Sequence, residues 1–216
     1  MKTSVRFLLF CFLFATNLYA QNGVSAEIFF SLSYQGFLKE DVQEMPKQVT
    51  YFVSGNNSKQ VVQTSVSTMT VIANADSVFL ANLNDVDDDR TALVYDREDI
   101  ENSLSAFRIK IKKRNETKKI SGYLCQKYDI SITNLESKEK MKDEVFVTEQ
   151  LGGENANFFL YKELKGFILW SQKTQGNEIV TMQAKRVVKK DFPVETFLIP
   201  EEYTITTYKD QVKQDD

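Results

Sequence analysis

The 216-residue chain contains no histidine, so the side chain that most often acts as general base and metal ligand near neutral pH is missing. Ser–His and Cys–His hydrolase constellations are thereby excluded. With 2 cysteines, 3 prolines and 8 glycines, it has neither a disulfide framework nor a flexible Pro/Gly-rich linker between domains. One domain is expected. Excess positive charge is also lacking, since 27 Lys and Arg stand against 30 Asp and Glu. That balance excludes a duplex nucleic-acid binder, whose affinity comes from clustered cations over phosphates, and a polybasic attachment to anionic lipid. Complete nucleotide, catalytic and metal motifs are absent as well.

At the N-terminus, Lys2 and Arg6 precede the apolar run Phe7 to Phe14, and a small residue follows at Ala20. This is the layout of a secretory signal, too short for a spanning helix of ~20 apolar residues. Cleavage after Ala20 is expected to leave residues 21–216 as a single β-rich half-barrel domain with no transmembrane segment, exported to the periplasm or beyond. Cys11 follows the large Phe10, so a lipid anchor is not expected. The mature chain would then carry 25 basic and 30 acidic side chains, with Cys125 as its sole cysteine. A chain of this size buries roughly 70% of its unfolded surface, enough for one core without cross-links.

The apolar residues fall mostly in short alternating runs, the pattern of half-buried antiparallel strands. Ala26, Ile28, Phe30, Leu32 and Tyr34 share one face of a first strand. Val49, Tyr51 and Val53 do so in a second over Gln48 to Val53, followed by turn chemistry at Gly55-Asn56-Asn57. Further strands are expected at Val61 to Thr68, Met69 to Ala73, Val78 to Asn84, Phe107 to Lys112 and Glu144 to Thr148. A long strand is expected to align Ile120, Leu124, Tyr128, Ile130 and Ile132. Gly166 to Gln172 and Ile179 to Lys189 form a hairpin. Asp99 to Phe107 has helical spacing behind acidic residues, and Asn155 could cap a second short helix over Phe158 to Leu164.

Four features invite chemistry. Cys125 could be a nucleophile, but a reactive thiol needs a stabilised thiolate and a base, and a buried packing role is expected instead. Asp85, Asp87, Asp89 and Asp96 stand at calcium-loop positions 1, 3, 5 and 12. Arg90, however, replaces the glycine of the sharp bend, so a solvated acidic loop is expected, with no metal and no cofactor. Carboxylate pairs such as Asp87 with Asp99 or Glu144 with Glu149 carry no pocket that would make them a hydrolase. Lys110, Lys112, Lys113 and Arg114 form a basic patch beside an expected exposed tip at Asn115-Glu116-Thr117.

The stretch Lys118 to Tyr128, KKISGYLCQKY, is followed by EVFVTE at Glu144 to Glu149, LKGFILW at Leu164 to Trp170 and a Phe-x-Ile-Pro-x-x-Tyr closure at Phe197 to Tyr203. Together they resemble an uncharacterised family of exported Gram-negative proteins of unknown function, similar to the GLPGLI group and more remotely to LolA-like lipoprotein carriers. The resemblance covers roughly Ala26 to Tyr208. It implies a mainly β (α+β) fold: a strongly curved antiparallel sheet, an incomplete β-barrel with one to three short helices. In the carriers the concave side holds an acyl chain. The name-giving GLPGLI motif is replaced here by Leu164-Lys165-Gly166-Phe167-Ile168-Leu169. No arginine matches a carrier's functional site.

The aromatic stripes supply candidate ligand-binding residues: Phe30, Tyr34, Tyr51, Phe79, Tyr128, Phe146 and Trp170. They either line a concave cavity or fill an ordinary core. Two functional readings stay open. One is a non-catalytic, monomeric binding module for a lipid or a lipidated partner; the other is an envelope protein-docking module with a packed core.

Overall fold

Alternation sets the first strand, β1 (Ser25–Gln35), where Ala26, Ile28 and Phe30 are buried while Ser33 and Gln35 face solvent. The computed structural model describes residues 25–87, 89–151, 161 and 163–215. The proposed signal and most of the Asn155 to Leu164 helix lie outside the described residues. A short helix, α1 (Lys39–Glu44), buries nothing in the connection to β2 (Gln48–Ser54), which buries Val49, Tyr51 and Val53 on the expected face. Gly55, at φ +56°, turns the chain into β3 (Asn57–Gln63).

The strand expected over Val61 to Thr68 is interrupted. The Thr64 hydroxyl accepts the Ser67 N–H at 3.0 Å, and this side-chain turn separates β3 from β4 (Ser67–Asn74). Next come β5 (Phe79–Val86) and β6 (Asp89–Tyr95), so the expected acidic loop is instead a hairpin whose strands carry Asp85 and Asp89. Acidic side chains had hidden the apolar alternation of Ala92 and Val94 on β6. Helix α2 (Arg97–Ser105) begins with a reciprocal capping box: Asp96 accepts the Asp99 N–H and Asp99 accepts the Asp96 N–H, each at 3.0 Å.

From there β7 (Phe107–Ile120) and β8 (Tyr123–Asn134) form a long hairpin. The turn sits at Ser121-Gly122 rather than at Asn115-Glu116-Thr117, where the register merely shifts between Lys113 and Thr117. The Gln126 side-chain amide donates to the Glu116 carbonyl at 3.0 Å and closes this bulge, so the chain continues extended. Ile120 therefore belongs to β7, and Leu124, expected to face inward, is 58% exposed. The sheet continues through β9 (Lys140–Thr148), β10 (Phe167–Gln175) and β11 (Glu178–Lys189). After a 3₁₀ turn (Val194–Phe197), β12 (Thr204–Thr207) and α3 (Tyr208–Asp215) end the fold.

All twelve strands join one sheet in the order β12-β6-β5-β4-β3-β2-β1-β11-β10-β9-β8-β7. Pairing is antiparallel except for β12, which runs parallel to β6. The sheet is open and curved. Its curvature is visible in the packing, because one apolar cluster unites Ala73, Leu80 and Tyr95 with Ile130, Ile132 and Met141, from strands far apart in the sheet order. A second cluster holds β1 and β2 against β10 and β11. On β4 and β5, Ile72 and Ala81 point away from Ala73 and Leu80 by alternation. Ile199 and Tyr203 of the C-terminal closure cover them, which gives that motif a packing role.

Candidate functional site

The β7–β8 ladder runs to Ile120 opposite Tyr123, whereas the β8–β9 ladder stops at Gln126 opposite Val147. The first residues of β8 therefore outrun their neighbour on the β9 side. There the Gln150 side-chain carbonyl accepts the Leu124 N–H at 2.8 Å, standing in for a strand carbonyl. A cleft of about 230 Å³ opens beside this gap. Leu124, Cys125, Tyr128 and Val147 give it an apolar wall, and Glu149 and Lys165 lie at its charged side. Burial, then the nearby Glu149 charge, raises the Tyr128 hydroxyl pKa, so this phenol stays protonated.

Cys125 is fully buried, and burial pushes its thiol pKa up to about 11, against a backbone hydrogen bond that acts the other way. The thiol is neutral at physiological pH, the opposite of what a nucleophile requires. Iodoacetamide at pH 8 is expected to modify native Cys125 at least a hundredfold more slowly than the urea-unfolded chain, from thiolate fraction alone. Equal rates, followed by mass spectrometry, would refute the buried thiol.

A polar group that the sequence reading missed lies between β9 and β10. Asp143 and Lys173 are direct cross-strand partners, 2% and 5% exposed at their side chains, with Lys173 Nζ 2.8 Å from Asp143 Oδ2. The Tyr161 hydroxyl donates to the same carboxylate and accepts from Lys173 Nζ at 3.0 Å. Burial, then Asp143, raises the Tyr161 pKa well above the ordinary phenol value. Asp143 Oδ2 thus takes both the Tyr161 hydroxyl and the Lys173 ammonium, tying the carboxylate into the buried β9–β10 pair. Beside them the buried Ser171 hydroxyl has no hydrogen-bond partner among the described residues. A sequence signal for the pair existed: Asp143 interrupts the inward alternation of Met141, Val145 and Val147.

The seven candidate aromatics are distributed rather than convergent. Phe30 and Tyr51 pack edge to face at 5.3 Å in the second cluster, where Phe146 and Trp170 meet at 5.4 Å. Tyr34 packs partly buried on that cluster, its hydroxyl donating to the Pro46 carbonyl at 2.6 Å. Phe79 joins the cluster under the C-terminal closure, and Tyr128 joins the one spanning the curl. Of the seven, Tyr128 also lines the cleft. Asp85, in place of a calcium loop, accepts a hydrogen bond from Arg90 Nε at 3.1 Å, while Asp96 caps α2. Among the described residues no group of three or more acidic or thiol side chains could hold a metal.

No family model matches the chain, and neither does any curated protein. Two solved structures are distantly similar. A β-barrel-like protein of domain of unknown function DUF1849 from Brucella abortus has a TM-score of 0.39 at 8% identity, covering 78% of this chain and 99% of that one. LprF from Mycobacterium bovis has a TM-score of 0.37 at 9% identity, covering 83% and 90%. Both likenesses are slight, and the fold described above stands on its own strands.

Proposed function

We propose that this chain is an exported, periplasmic, non-catalytic binding module that shelters part of an apolar ligand, such as a short stretch of acyl chain, in the cleft beside β8. The observation that carries this reading is the cleft itself, where the exposed Leu124 stands with Tyr128 and Val147 next to a gap in the sheet. Binding there would draw on apolar burial, worth ~0.8 kcal/mol per methylene, with little need for directed polar contacts. A cleft of about 230 Å³ is smaller than most drug-sized pockets, so it suits one chain segment rather than a bulky lipid. The N-terminal signal pattern supports export. The non-catalytic reading is supported by the neutral Cys125 thiol and by the burial of the Asp143–Lys173 pair inside the sheet.

Native mass spectrometry of detergent-free protein with decanoate is expected to show a saturable one-to-one adduct. Leu124→Glu should weaken it by roughly tenfold or more, the worth of one buried leucine, while leaving the melting temperature unchanged because Leu124 is already exposed. An unliganded spectrum at every fatty-acid concentration would overturn the proposal. A second reading, a protein-docking module, is favoured by one observation: six of the seven candidate aromatics, all but Tyr128, pack in apolar clusters and do not line the cleft. That absence of ligand, together with a defined protein complex, is its expected outcome.

A further inference from the structure

β7 ends the strand order, so among the described residues its outer edge has no neighbouring strand. It is long for an edge: 14 residues, about 45 Å at the usual rise. Residues 112 to 119 are all exposed. Seven basic side chains and one acidic side chain lie along it, in a protein whose overall charge is −3. Arg114 pairs with Asp129, and Glu116 is taken by Lys127. Arg108, Lys110, Lys112, Lys113, Lys118 and Lys119 form no ion pair among the described residues, though Lys118 lies over the Phe146 ring at 5.9 Å. Pairing with β8 sets Arg108, Lys110, Lys112 and Lys118 on one face of the ribbon and Lys113 and Lys119 on the other.

We infer that the outer edge of β7 docks an extended acidic segment of a partner polypeptide, which adds a thirteenth strand to the sheet. Two independent features meet in that ligand class. Unpaired backbone amides and carbonyls select an extended chain, and uncompensated cations on both faces select acidic side chains at both phases of its alternation. A second copy of this chain does not fit, because β7 against β7 would set cations directly opposite cations. A planar anionic membrane does not fit either, since it reaches only one face of the ribbon.

The test uses the full chain and a synthetic β-prone peptide of about ten residues alternating glutamate with valine or threonine, a typical strand length. Its counterpart is N-methylated at alternate residues. The expected result is slowed amide exchange across residues 107–120 on binding, and affinity that falls tenfold or more with the N-methylated peptide. Raising salt well above the physiological range should weaken the complex similarly, as exposed charges are screened. A Lys112→Glu, Lys118→Glu variant should lose binding with an unchanged melting temperature, both positions being exposed. Equal affinity for the N-methylated peptide would mean charge alone is read and would overturn strand addition. So would absence of peptide binding, or binding of phosphatidylglycerol vesicles in its place; in either case lysines on β7 only keep the edge from self-pairing.

Discussion

Asp143→Ala is expected to destabilise the protein by about 3–5 kcal/mol, because it removes the carboxylate that balances the Lys173 ammonium in a site where the lysine side chain is 5% exposed. For a chain of this size, that corresponds to a fall in melting temperature of roughly 6–20 °C. The Tyr161 hydroxyl loses its acceptor in the same step, so Tyr161 should be held less firmly against β9. Amide exchange at Leu164, whose N–H donates to the Tyr161 carbonyl at 2.7 Å, would report that loosening directly.

The cost belongs to the broken pair rather than to the lost attraction, and a double variant separates the two. Asp143→Leu with Lys173→Met removes both charges and fills similar volume, an exchange that is often neutral or stabilising for buried ion pairs. Such a variant should recover most of the lost melting temperature, with a large coupling between the two positions. A double variant as unstable as Asp143→Ala would show that the charges themselves hold the strands. Tyr161→Phe should cost less, on the order of 1.5–3 kcal/mol, the range for one charge-assisted hydrogen bond.

Period-two alternation made the first strands of the curved sheet legible, because β1 and β2 each have one dry face whose apolar residues repeat at every second position, Ala26, Ile28 and Phe30 on β1 and Val49, Tyr51 and Val53 on β2. Where both faces are covered, as at Val145-Phe146-Val147 on β9 and Phe167-Ile168-Leu169 on β10, the strands show continuous apolar runs instead. The rule failed where a side chain overrode the backbone pattern. Gln126 closes a bulge that lets β7 pass straight through Asn115-Glu116-Thr117, a sequence that otherwise suits a turn. Thr64 does the reverse, making a turn inside an apparently continuous strand.

The candidate site was less legible, since it depends on where ladders end. Nothing in KKISGYLCQKY says that the β8–β9 ladder stops one pairing short of Cys125, yet the cleft opens at that stop, beside the exposed Leu124. The aromatics were correctly placed on strands, but a stripe in sequence does not reveal whether the facing layer is a void or another cluster. In this fold the curl supplies the facing layer: Tyr128 packs in a cluster that also takes Tyr95 from across the sheet.

Gly36→Ala carries the second large expected effect. Gly36 sits at φ +82°, in the left-handed region, directly after β1. A Cβ there would lie 1.9 Å from the Asn177 carbonyl oxygen and 2.8 Å from its carbon, both backbone atoms of the β10–β11 turn. Neither atom can rotate away, so relief requires the hairpin to move as a body against a ladder in which Gln35 already faces Ile179. The expected loss combines ~1–2 kcal/mol for the left-handed conformation with ~1–3 kcal/mol for overpacking. Gly55→Ala is the internal control, because Gly55 also has positive φ but an added Cβ meets nothing within 4 Å. It should show only the conformational part. Urea denaturation of the two variants measures the difference, which isolates the close approach of the β1 exit to the β10–β11 turn. Equal losses would mean that the turn yields freely. In that case, the contact between Gly36 and Asn177 would not set the register of β1 against β11.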